Sequence, residues 1–241
     1  MKKAIVIGAS SGIGMEVSRQ LLAEGWALGV ASRRTHLLQT LKEQWPGQVE
    51  VATIDVTSEE AGDSLLQLIS TMGGLDLFFY APGIGHQNPG LDAGIEMDTV
   101  ETNAVGFTRM IGTAFRYMAD HGGGHIAAIS SIAGTKGLGP APSYSATKAF
   151  QATYIEALEQ LAHSRRLPIS FTDIRPGFVD TALIADGRHY PMTLQTEAVA
   201  REIMTALRRR QHVRVIDWRW RVVTFFWRLI PRCLWRRLKL T

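Results

Sequence analysis

The stretch Ala4-Ile5-Val6-Ile7-Gly8-Ala9-Ser10-Ser11-Gly12-Ile13-Gly14 decides the fold. A short apolar run leads into a glycine-rich turn, and a helical pattern follows at Gly12–Glu24. Glycines at such a turn let the backbone approach a pyrophosphate closely, and the N-terminus of the following helix favours negative charge. The stretch therefore predicts the first strand and phosphate turn of a dinucleotide-binding fold. Any tight strand–helix connection can look similar, so the interpretation depends on the rest of the chain.

The rest of the chain continues the alternation of strand and helix. The predicted strands are Lys3–Gly8, Ala27–Ser32, Val49–Ile54, Leu75–Tyr80, His125–Ser130, Ile169–Ile174 and, more weakly, Val213–Ile216. The later helical patterns are Leu37–Gln44, Ser58–Met72, Met97–His121, Tyr144–Ala162 and Thr196–Arg210. Most strands are continuous apolar runs, which is typical of strands covered on both faces. The pattern predicts an α/β fold with a doubly wound parallel sheet, in one domain over residues 1–215 and a tail over residues 216–241.

Composition narrows the class of protein. Of the 241 residues, 46% are hydrophobic and 20% charged, which excludes a disordered chain. The single cysteine, Cys233, cannot form an internal disulfide and so gives no sign of an oxidising compartment. The apolar run after Met1-Lys2-Lys3 is too short for a signal peptide, and no stretch reaches the roughly 20 apolar residues of a membrane span. We expect a cytoplasmic protein.

The ends of the second and third predicted strands carry candidate cofactor contacts. Ser32-Arg33-Arg34 ends the second strand, where an acid would bind an unphosphorylated ribose. A serine followed by an arginine instead suits a 2′-phosphate, because arginine can bind a phosphate through two hydrogen bonds. Asp55-Val56 ends the third strand, where a carboxylate could reach the adenine amino group. These residues favour NADP over NAD. The alternative for the two arginines is that they are solvent-exposed surface residues that do not bind the cofactor.

Ser131, Tyr144 and Lys148 form the most specific constellation in the sequence. Tyr144 and Lys148 are one helical turn apart and share a face, and Ser131 follows a predicted strand. A free tyrosine has a pKa of about 10, and a nearby lysine cation lowers it toward working pH by stabilising the phenolate. Ser131 could then hold a substrate oxygen by a hydrogen bond. Tyr-x-x-x-Lys also occurs by chance in many helices, so its weight comes from the combination with the glycine turn.

The joint motif set resembles that of the short-chain dehydrogenases/reductases, in the short single-domain branch. The resemblance covers roughly Lys3 to Arg210 in the family's order. It rests on Gly8-x-x-x-Gly12-x-Gly14, Asp55, Asn103, Ser131, Tyr144-x-x-x-Lys148 and Pro176-Gly177-x-x-x-Thr181.

The resemblance implies a seven-stranded Rossmann-type sheet and hydride transfer at nicotinamide C4. It implies that Tyr144 is the general acid/base, that Lys148 binds the nicotinamide ribose and tunes Tyr144, and that Ser131 polarises the carbonyl. It further implies that Asn103 holds a water in a proton relay and that Pro176-Gly177 and Thr181 flank the nicotinamide amide. No metal is expected. The candidate NADP(H)-binding residues are Gly8, Ser10, Ser11, Gly12, Ile13, Gly14, Ser32, Arg33, Arg34, Asp55, Val56, Ala81, Gly83, Pro176, Gly177, Val179 and Thr181.

The sequence departs from the family pattern after the fourth strand. Tyr80-Ala81-Pro82-Gly83 stands where the family usually carries Asn-Asn-Ala-Gly. The glycine is kept, so we expect altered local hydrogen bonding rather than lost catalysis. Ser11 also occupies a position where many NADP-preferring members carry a basic residue, so cofactor choice is expected to depend mainly on Arg33.

Two segments are candidates for the substrate side. Ala182–Thr196 follows the nicotinamide-flanking motif and is the natural lid, and His86-Gln87-Asn88 offers another wall. For His86 and His189, exposed loop positions are favoured over catalytic roles. Nothing here specifies a substrate beyond a mild preference for an apolar ketone or secondary alcohol.

The carboxyl-terminal tail differs from the body in charge. Residues 208–241 contain 11 Lys/Arg and one acid, Asp217, giving +10, whereas the remainder has 15 basic against 21 acidic residues, or −6. If the tail is helical, apolar and basic residues fall largely on different faces, and Pro231 should end or kink it. The apolar set is Val222, Val223, Phe226, Leu229 and Ile230, and the basic set is Arg221, Arg228 and Arg232. Contact of residues 218–239 with an anionic membrane and packing on another subunit remain equal alternatives.

The sequence thus predicts an NADP(H)-dependent oxidoreductase that interconverts a carbonyl and a secondary alcohol, as a homo-oligomer with a small-molecule substrate and no nucleic-acid partner. One alternative comes from Leu229-Ile230-Pro231-Arg232, which is similar to the tails of bacterial family members acting on polyprenyl-linked sugars. It makes the protein a reductase of a lipid-linked keto-sugar at the inner membrane face. The other alternative is a non-catalytic NADP-binding sensor or scaffold.

Overall fold

A single seven-stranded parallel sheet organises the chain. The computed structural model describes residues 1–184, 187 and 190–239. The strand order is β3-β2-β1-β4-β5-β6-β7, so the chain reverses direction across the sheet between β1 and β4. Ligands of such sheets bind at that reversal, outside the carboxyl ends of the strands. The strands are β1 Lys3–Ile7, β2 Ala27–Ser32, β3 Val49–Thr53, β4 Leu77–Tyr80, β5 Gly124–Ile129, β6 Ile169–Arg175 and β7 Val213–Val215.

Helices cover both faces of the sheet. They are α1 Gly12–Ala23, α2 His36–Gln44, α3 Ala61–Met72, α4 Ala93–Val100, α5 Phe107–Asp120, α6 Pro142–Ser164, α7 Thr196–Arg208, α8 Trp218–Leu229 and α9 Arg232–Trp235. Two neighbouring residues of β4 show that the strand is buried on both faces. Phe79 packs in the core on the side of α1 and α7, whereas Phe78 packs in the core on the side of α3 and α5. Burial on both faces is why the strands are continuously apolar rather than alternating.

The predicted sheet is confirmed, and two helix predictions need correction. The segment Met97–His121 is not one α-helix, because a π-helical segment at Glu101–Gly106 separates α4 from α5. The helix predicted from Ser58 begins at Ala61 instead. The chain turns before it, where the backbone N–H and the hydroxyl of Thr57 both donate to Asp55 Oδ1, at 3.1 and 2.8 Å.

The tail forms two short helices, and Pro231 stands between α8 and α9 as predicted. Within the described part of the chain, no helix combines the length and the apolar character needed to cross a bilayer. The two sides of α8 differ. Val222, Phe226 and Leu229 are exposed, but Val223 turns partly into the core, so the predicted apolar face is divided.

Candidate functional site

The turn between β1 and α1 is packed so tightly that it requires glycine. Gly8 has a φ of +82°, in the left-handed region that favours glycine, and a Cβ there would lie 3.0 Å from the backbone N of Pro82. A Cβ on Gly14 would overlap the carbonyl oxygen of Gly8. The start of α1 and the turn are therefore in direct backbone contact. The N-terminus of α1, which includes Ile13, lies at the carboxyl end of the strands, where a diphosphate can bind.

An anion-binding corner adjoins this turn at the end of β2. The Arg34 guanidinium donates to the hydroxyls of Ser11, at 2.8 Å, and Ser10, at 3.2 Å. The Ser32 hydroxyl is buried and has no hydrogen-bond partner among the described residues. An arginine held at the phosphate turn fits a phosphate ester, which it can bind with two parallel hydrogen bonds. The corner therefore suits the 2′-phosphate of NADP.

Arg33 and Arg34 act on different neighbours. The Arg33 charge acts on Asp55, just beyond the end of β3, whereas the Arg34 guanidinium bonds to the phosphate turn. Burial tends to raise the pKa of Asp55, but hydrogen bonds from Thr57 and the Arg33 charge outweigh it and leave the pKa lowered. Asp55 is thus held as a carboxylate, which suits the predicted contact with an adenine amino group. The adjacent Val56 is buried, and its carbonyl oxygen would meet a Cβ on Gly106 at 2.8 Å.

Ser131 and Tyr144 meet beyond the carboxyl end of β5. Ser131 begins a short 3-10 turn, and its Oγ accepts a hydrogen bond from the backbone N–H of Ala133 at 3.1 Å. Burial raises the pKa of the Tyr144 hydroxyl, and a hydrogen bond between the two side chains acts in the opposite direction. Gly85 covers the Tyr144 ring so closely that a Cβ would overlap it. The phenol is thereby fixed in orientation next to Ser131.

Lys148 lies one turn farther along α6, beneath Tyr144. Its Nζ donates to the carbonyl oxygen of Ile129 at 3.0 Å and to Gln151 Oε1 at 2.9 Å, and it lies 5.8 Å from the centroid of the Tyr144 ring. Burial lowers the pKa of Lys148 to about 8, and the negative charge of Asp173 opposes the shift. The ammonium is thus close to titrating near neutral pH. The pKa of Tyr144 is nevertheless raised, contrary to the lowering expected from the sequence, because burial outweighs the hydrogen bond with Ser131.

Asn103 serves this cluster through both its side chain and its backbone. Its amide closes a pair of hydrogen bonds with Ile84, accepting from the backbone N–H at 2.9 Å and donating to the carbonyl at 2.7 Å. Its backbone carbonyl accepts from Gln151 Nε2 at 2.8 Å. Gln151 therefore links the Asn103 carbonyl to the Lys148 ammonium.

Gln151 is a site residue that the sequence analysis missed. It is fully buried, and both ends of its amide are used. A signal was available, because Gln151 lies three residues after Lys148 and seven after Tyr144, on one face of α6. A polar residue at a buried position on that face indicates a partner inside the site.

The segment after β6 brings the predicted nicotinamide side to the cluster. The Pro176 carbonyl accepts from the backbone N–H of Ile132, next to Ser131, at 3.1 Å. Thr181 contacts the cofactor turn, since a Cβ on Gly12 would lie 3.2 Å from its Cγ2. Val179 pairs with Leu194 in an isolated parallel bridge that closes the base of the predicted lid. Gly177 lies against the tail helix α8.

The unusual stretch after β4 is accommodated without loss of the site. The buried ring of Tyr80 packs edge-on against Phe107 at 5.3 Å, and its hydroxyl makes a long contact of 3.5 Å with the carbonyl of Thr102. A Cβ on Gly83 would lie 3.1 Å from Lys148 Nζ, and the Ala81 side chain would meet a Cβ on Gly14 at 3.2 Å. Gly83 therefore borders Lys148, and Ala81 borders the turn between β1 and α1.

One of the predicted substrate-side residues, Asn88, is engaged by neighbours within the chain. The buried Asn88 amide donates to the Asp92 carbonyl at 3.0 Å and to Glu96 Oε1 at 2.8 Å, so it fixes the start of α4 rather than lining a pocket. His86 is exposed, as favoured from the sequence. His189 lies outside the described residues.

The chain is similar to known proteins over most of its length. The family model described as short chain dehydrogenase matches residues 2–190. An uncharacterized oxidoreductase of Mycobacterium tuberculosis is 30% identical over 243 aligned positions, covering 96% of this chain and 95% of the relative. An uncharacterized oxidoreductase of Myxococcus xanthus is 32% identical, covering 81% of this chain and 79% of the relative.

Solved structures share the fold. A short-chain dehydrogenase from Streptomyces avermitilis aligns with a TM-score of 0.81 at 22% identity, covering 95% of this chain and 93% of that one. A single-residue variant of the actinorhodin polyketide ketoreductase with NADPH aligns with a TM-score of 0.77 at 25% identity, covering 89% and 95% of the two chains.

Proposed function

Because this chain belongs to the short-chain dehydrogenase family of oxidoreductases, we propose that it interconverts a carbonyl and a secondary alcohol with NADP(H). The observation that carries the proposal is one compact cluster of polar side chains. Ser131 is hydrogen-bonded to Tyr144, the Lys148 ammonium lies 5.8 Å from the centroid of the Tyr144 ring, and Gln151 links that ammonium to the Asn103 carbonyl. A protein that only binds a dinucleotide has no need for a partly buried phenol beside a buried ammonium. The cluster therefore favours an enzyme over the sensor or scaffold.

The cofactor would lie along the sheet edge with its diphosphate at the turn Gly8–Gly14 and its nicotinamide beside Pro176–Thr181. When bound, NADPH supplies a hydride to the carbonyl carbon. Tyr144 donates its hydroxyl proton to the carbonyl oxygen, and Ser131 holds that oxygen by a hydrogen bond. The product is the alcohol, with NADP⁺ and a phenolate that Lys148 stabilises until solvent returns a proton. The reverse reaction follows the same path.

The preference for NADP rests on the corner at the end of β2. A 2′-phosphate there would occupy the unpartnered Ser32 hydroxyl and the Arg34 guanidinium, with Arg33 alongside. An arginine at such a position is pre-organised for two parallel hydrogen bonds, which a ribose hydroxyl does not use. The ketoreductase of similar fold was solved with NADPH, which is in keeping with this choice.

The test is a fluorescence titration of the purified protein with NADPH and NADH, using Arg34→Ala, Arg33→Ala and the control Arg19→Ala. Arg19 is an exposed cation on α1 whose partner is Glu16. We expect Arg34→Ala to weaken NADPH binding by about 10- to 100-fold, since a hydrogen bond to a charged group is worth roughly 1.5–3 kcal/mol. NADH binding should change little in the same variant.

The design separates the cofactor assignment from the enzyme assignment. Equal binding of both nucleotides by the wild type, or an unchanged preference in both Arg33→Ala and Arg34→Ala, would contradict the NADP assignment. A loss of affinity in Arg19→Ala of the same size would mean that overall charge, rather than the corner, holds the phosphate. Tight NADPH binding without oxidation across a broad panel of carbonyls would favour the scaffold.

A further inference from the structure

The tail helix α8 exposes a stripe of large apolar side chains. We call this stripe the outer face of α8, and it consists of Trp218, Val222, Phe225, Phe226 and Leu229. Their exposed fractions lie between 47% and 64%. Spacings of three and four residues place them on one side of the helix. A contiguous exposed apolar surface of this kind marks a contact with a partner outside the chain.

The opposite side of α8 is firmly attached to the body. Trp220 is only 3% exposed, and its ring packs 5.7 Å from that of Phe178. Its indole lies so close to Gly177 that a Cβ there would overlap it. Because α8 already packs on the body through its opposite side, its outer face is not available to cover the sheet of the same chain.

A second attachment fixes the end of the tail. Trp235 Nε1 donates to the Gly137 carbonyl at 2.7 Å, and Lys136 Nζ donates to the Ile230 carbonyl at 2.9 Å. Residues 136 and 137 belong to the loop that follows Ser131. The two attachments together hold α8 and α9 beside the segments that flank the catalytic cluster.

Positive charge borders the outer face. Exposed Arg221 and Arg228 follow one edge of it, and exposed Leu234 and Leu238 extend the apolar surface beyond Pro231. Further exposed cations accompany them at Arg232, Arg236, Arg237 and Lys239. The one acid of residues 217–239, Asp217, is bound to the Arg219 guanidinium at 2.9 Å. The segment therefore presents apolar side chains and unneutralised cations together.

We propose that the outer face of α8 and its arginines dock on an anionic lipid surface, with α8 lying in the plane of the headgroups. Interfacial tryptophan and phenylalanine side chains would enter the acyl boundary, and the flanking guanidiniums would contact lipid phosphates. A second copy of this chain fits less well. A symmetric pair would bring the cations of both copies together, and Asp217 is already engaged by Arg219.

The test is flotation of the full-length protein with vesicles of pure phosphatidylcholine or of phosphatidylcholine with about 30% phosphatidylglycerol. Anionic vesicles should bind it at least tenfold more tightly at low salt, and raised salt should weaken this binding.

Phe225→Ser/Phe226→Ser should abolish most of the binding. Arg221→Gln/Arg228→Gln should weaken the binding to anionic vesicles by roughly fivefold per arginine, because each basic residue contributes about 1 kcal/mol of binding free energy at an anionic surface. The controls are Leu66→Ser and Arg19→Gln, which remove an exposed leucine of α3 and an exposed cation of α1 and should change nothing.

Three results would overturn the proposal. The first is absence of flotation by the wild type, and the second is equal flotation with both vesicle types. The third is a mass in solution that falls from dimer to monomer in Phe225→Ser/Phe226→Ser, which would assign the outer face to a second copy. An unchanged circular dichroism spectrum and thermal midpoint show that each variant is folded, so the outcome does not depend on whether the protein is an NADP enzyme.

Discussion

The proposed catalytic cluster and the tail use aromatic side chains in opposite ways. In the cluster, Tyr144 is enclosed by Gly85 and tied to Ser131 and Lys148, so its polar atom is positioned by neighbours within the chain. In the tail, Trp220 is enclosed while Trp218, two residues earlier on the same helix, is exposed. Enclosure with hydrogen bonds serves chemistry that needs fixed atoms. Exposure beside cations is the basis of the proposed contact with a lipid surface.

The largest expected effect comes from removing the phenol alone. Tyr144→Phe keeps the ring beneath Gly85 but removes the proton donor, so turnover should fall by about 10²- to 10⁴-fold, the usual contribution of a general acid. Steady-state kinetics with any accepted carbonyl would measure it. NADPH affinity and vesicle binding should stay at wild-type values. Retention of more than a tenth of the activity would mean that another group supplies the proton.

The next effect distinguishes the two tryptophans of α8. Trp220→Ala removes a buried indole, a change that typically costs about 3–5 kcal/mol, and should release the tail from Gly177 and Phe178. Limited trypsin digestion should then cleave at the tail arginines at least tenfold faster. Trp218→Ala is the matched control, because it removes an exposed indole from the same helix. It should leave the cleavage rate unchanged while weakening vesicle binding. Equal cleavage of both variants would show that Trp220 does not hold the tail.

Sequence reasoning identified the parts of the site that motifs encode. The glycine turn at Gly8–Gly14 and the Tyr144–Lys148 pair are local patterns, and their neighbours in the structure follow from strand order. The contacts it missed join residues distant in sequence. Gln151 pairs with the carbonyl of Asn103, 48 residues away, and nothing in either local pattern specifies that contact.

The same distinction holds for the arginines and for the tail. Arg33 and Arg34 are adjacent in sequence, and only the side-chain packing at Ser10 and Ser11 shows which one reaches the phosphate turn. Helical periodicity grouped Val222 with Val223. Whether a side chain of that group faces inward depends on where Trp220 meets Gly177, which is a tertiary contact.

The smallest predicted change concerns Gln151, a positioning residue within the cluster. Its Oε1 accepts from the Lys148 ammonium and thereby favours the charged form. Gln151→Leu removes that acceptor, so the pKa of Lys148 should fall below its present value of about 8. As pH rises, the variant should lose the cation earlier than the wild type. The alkaline limb of the kcat/KM profile for carbonyl reduction should therefore move to lower pH, with a loss of about tenfold near neutrality, comparable to one hydrogen bond to a charged group.

Gln151→Glu is the informative partner of that variant. A carboxylate beside Lys148 should raise the pKa of the lysine and move the alkaline limb to higher pH, while the donor to the Asn103 carbonyl is lost in both variants. A merely structural role would lower activity equally at all pH values in both. Opposite shifts of the limb would show that Gln151 acts on the protonation of Lys148. Parallel profiles would confine it to packing, and the cluster would then depend on Ile129 and Asp173 to set that charge.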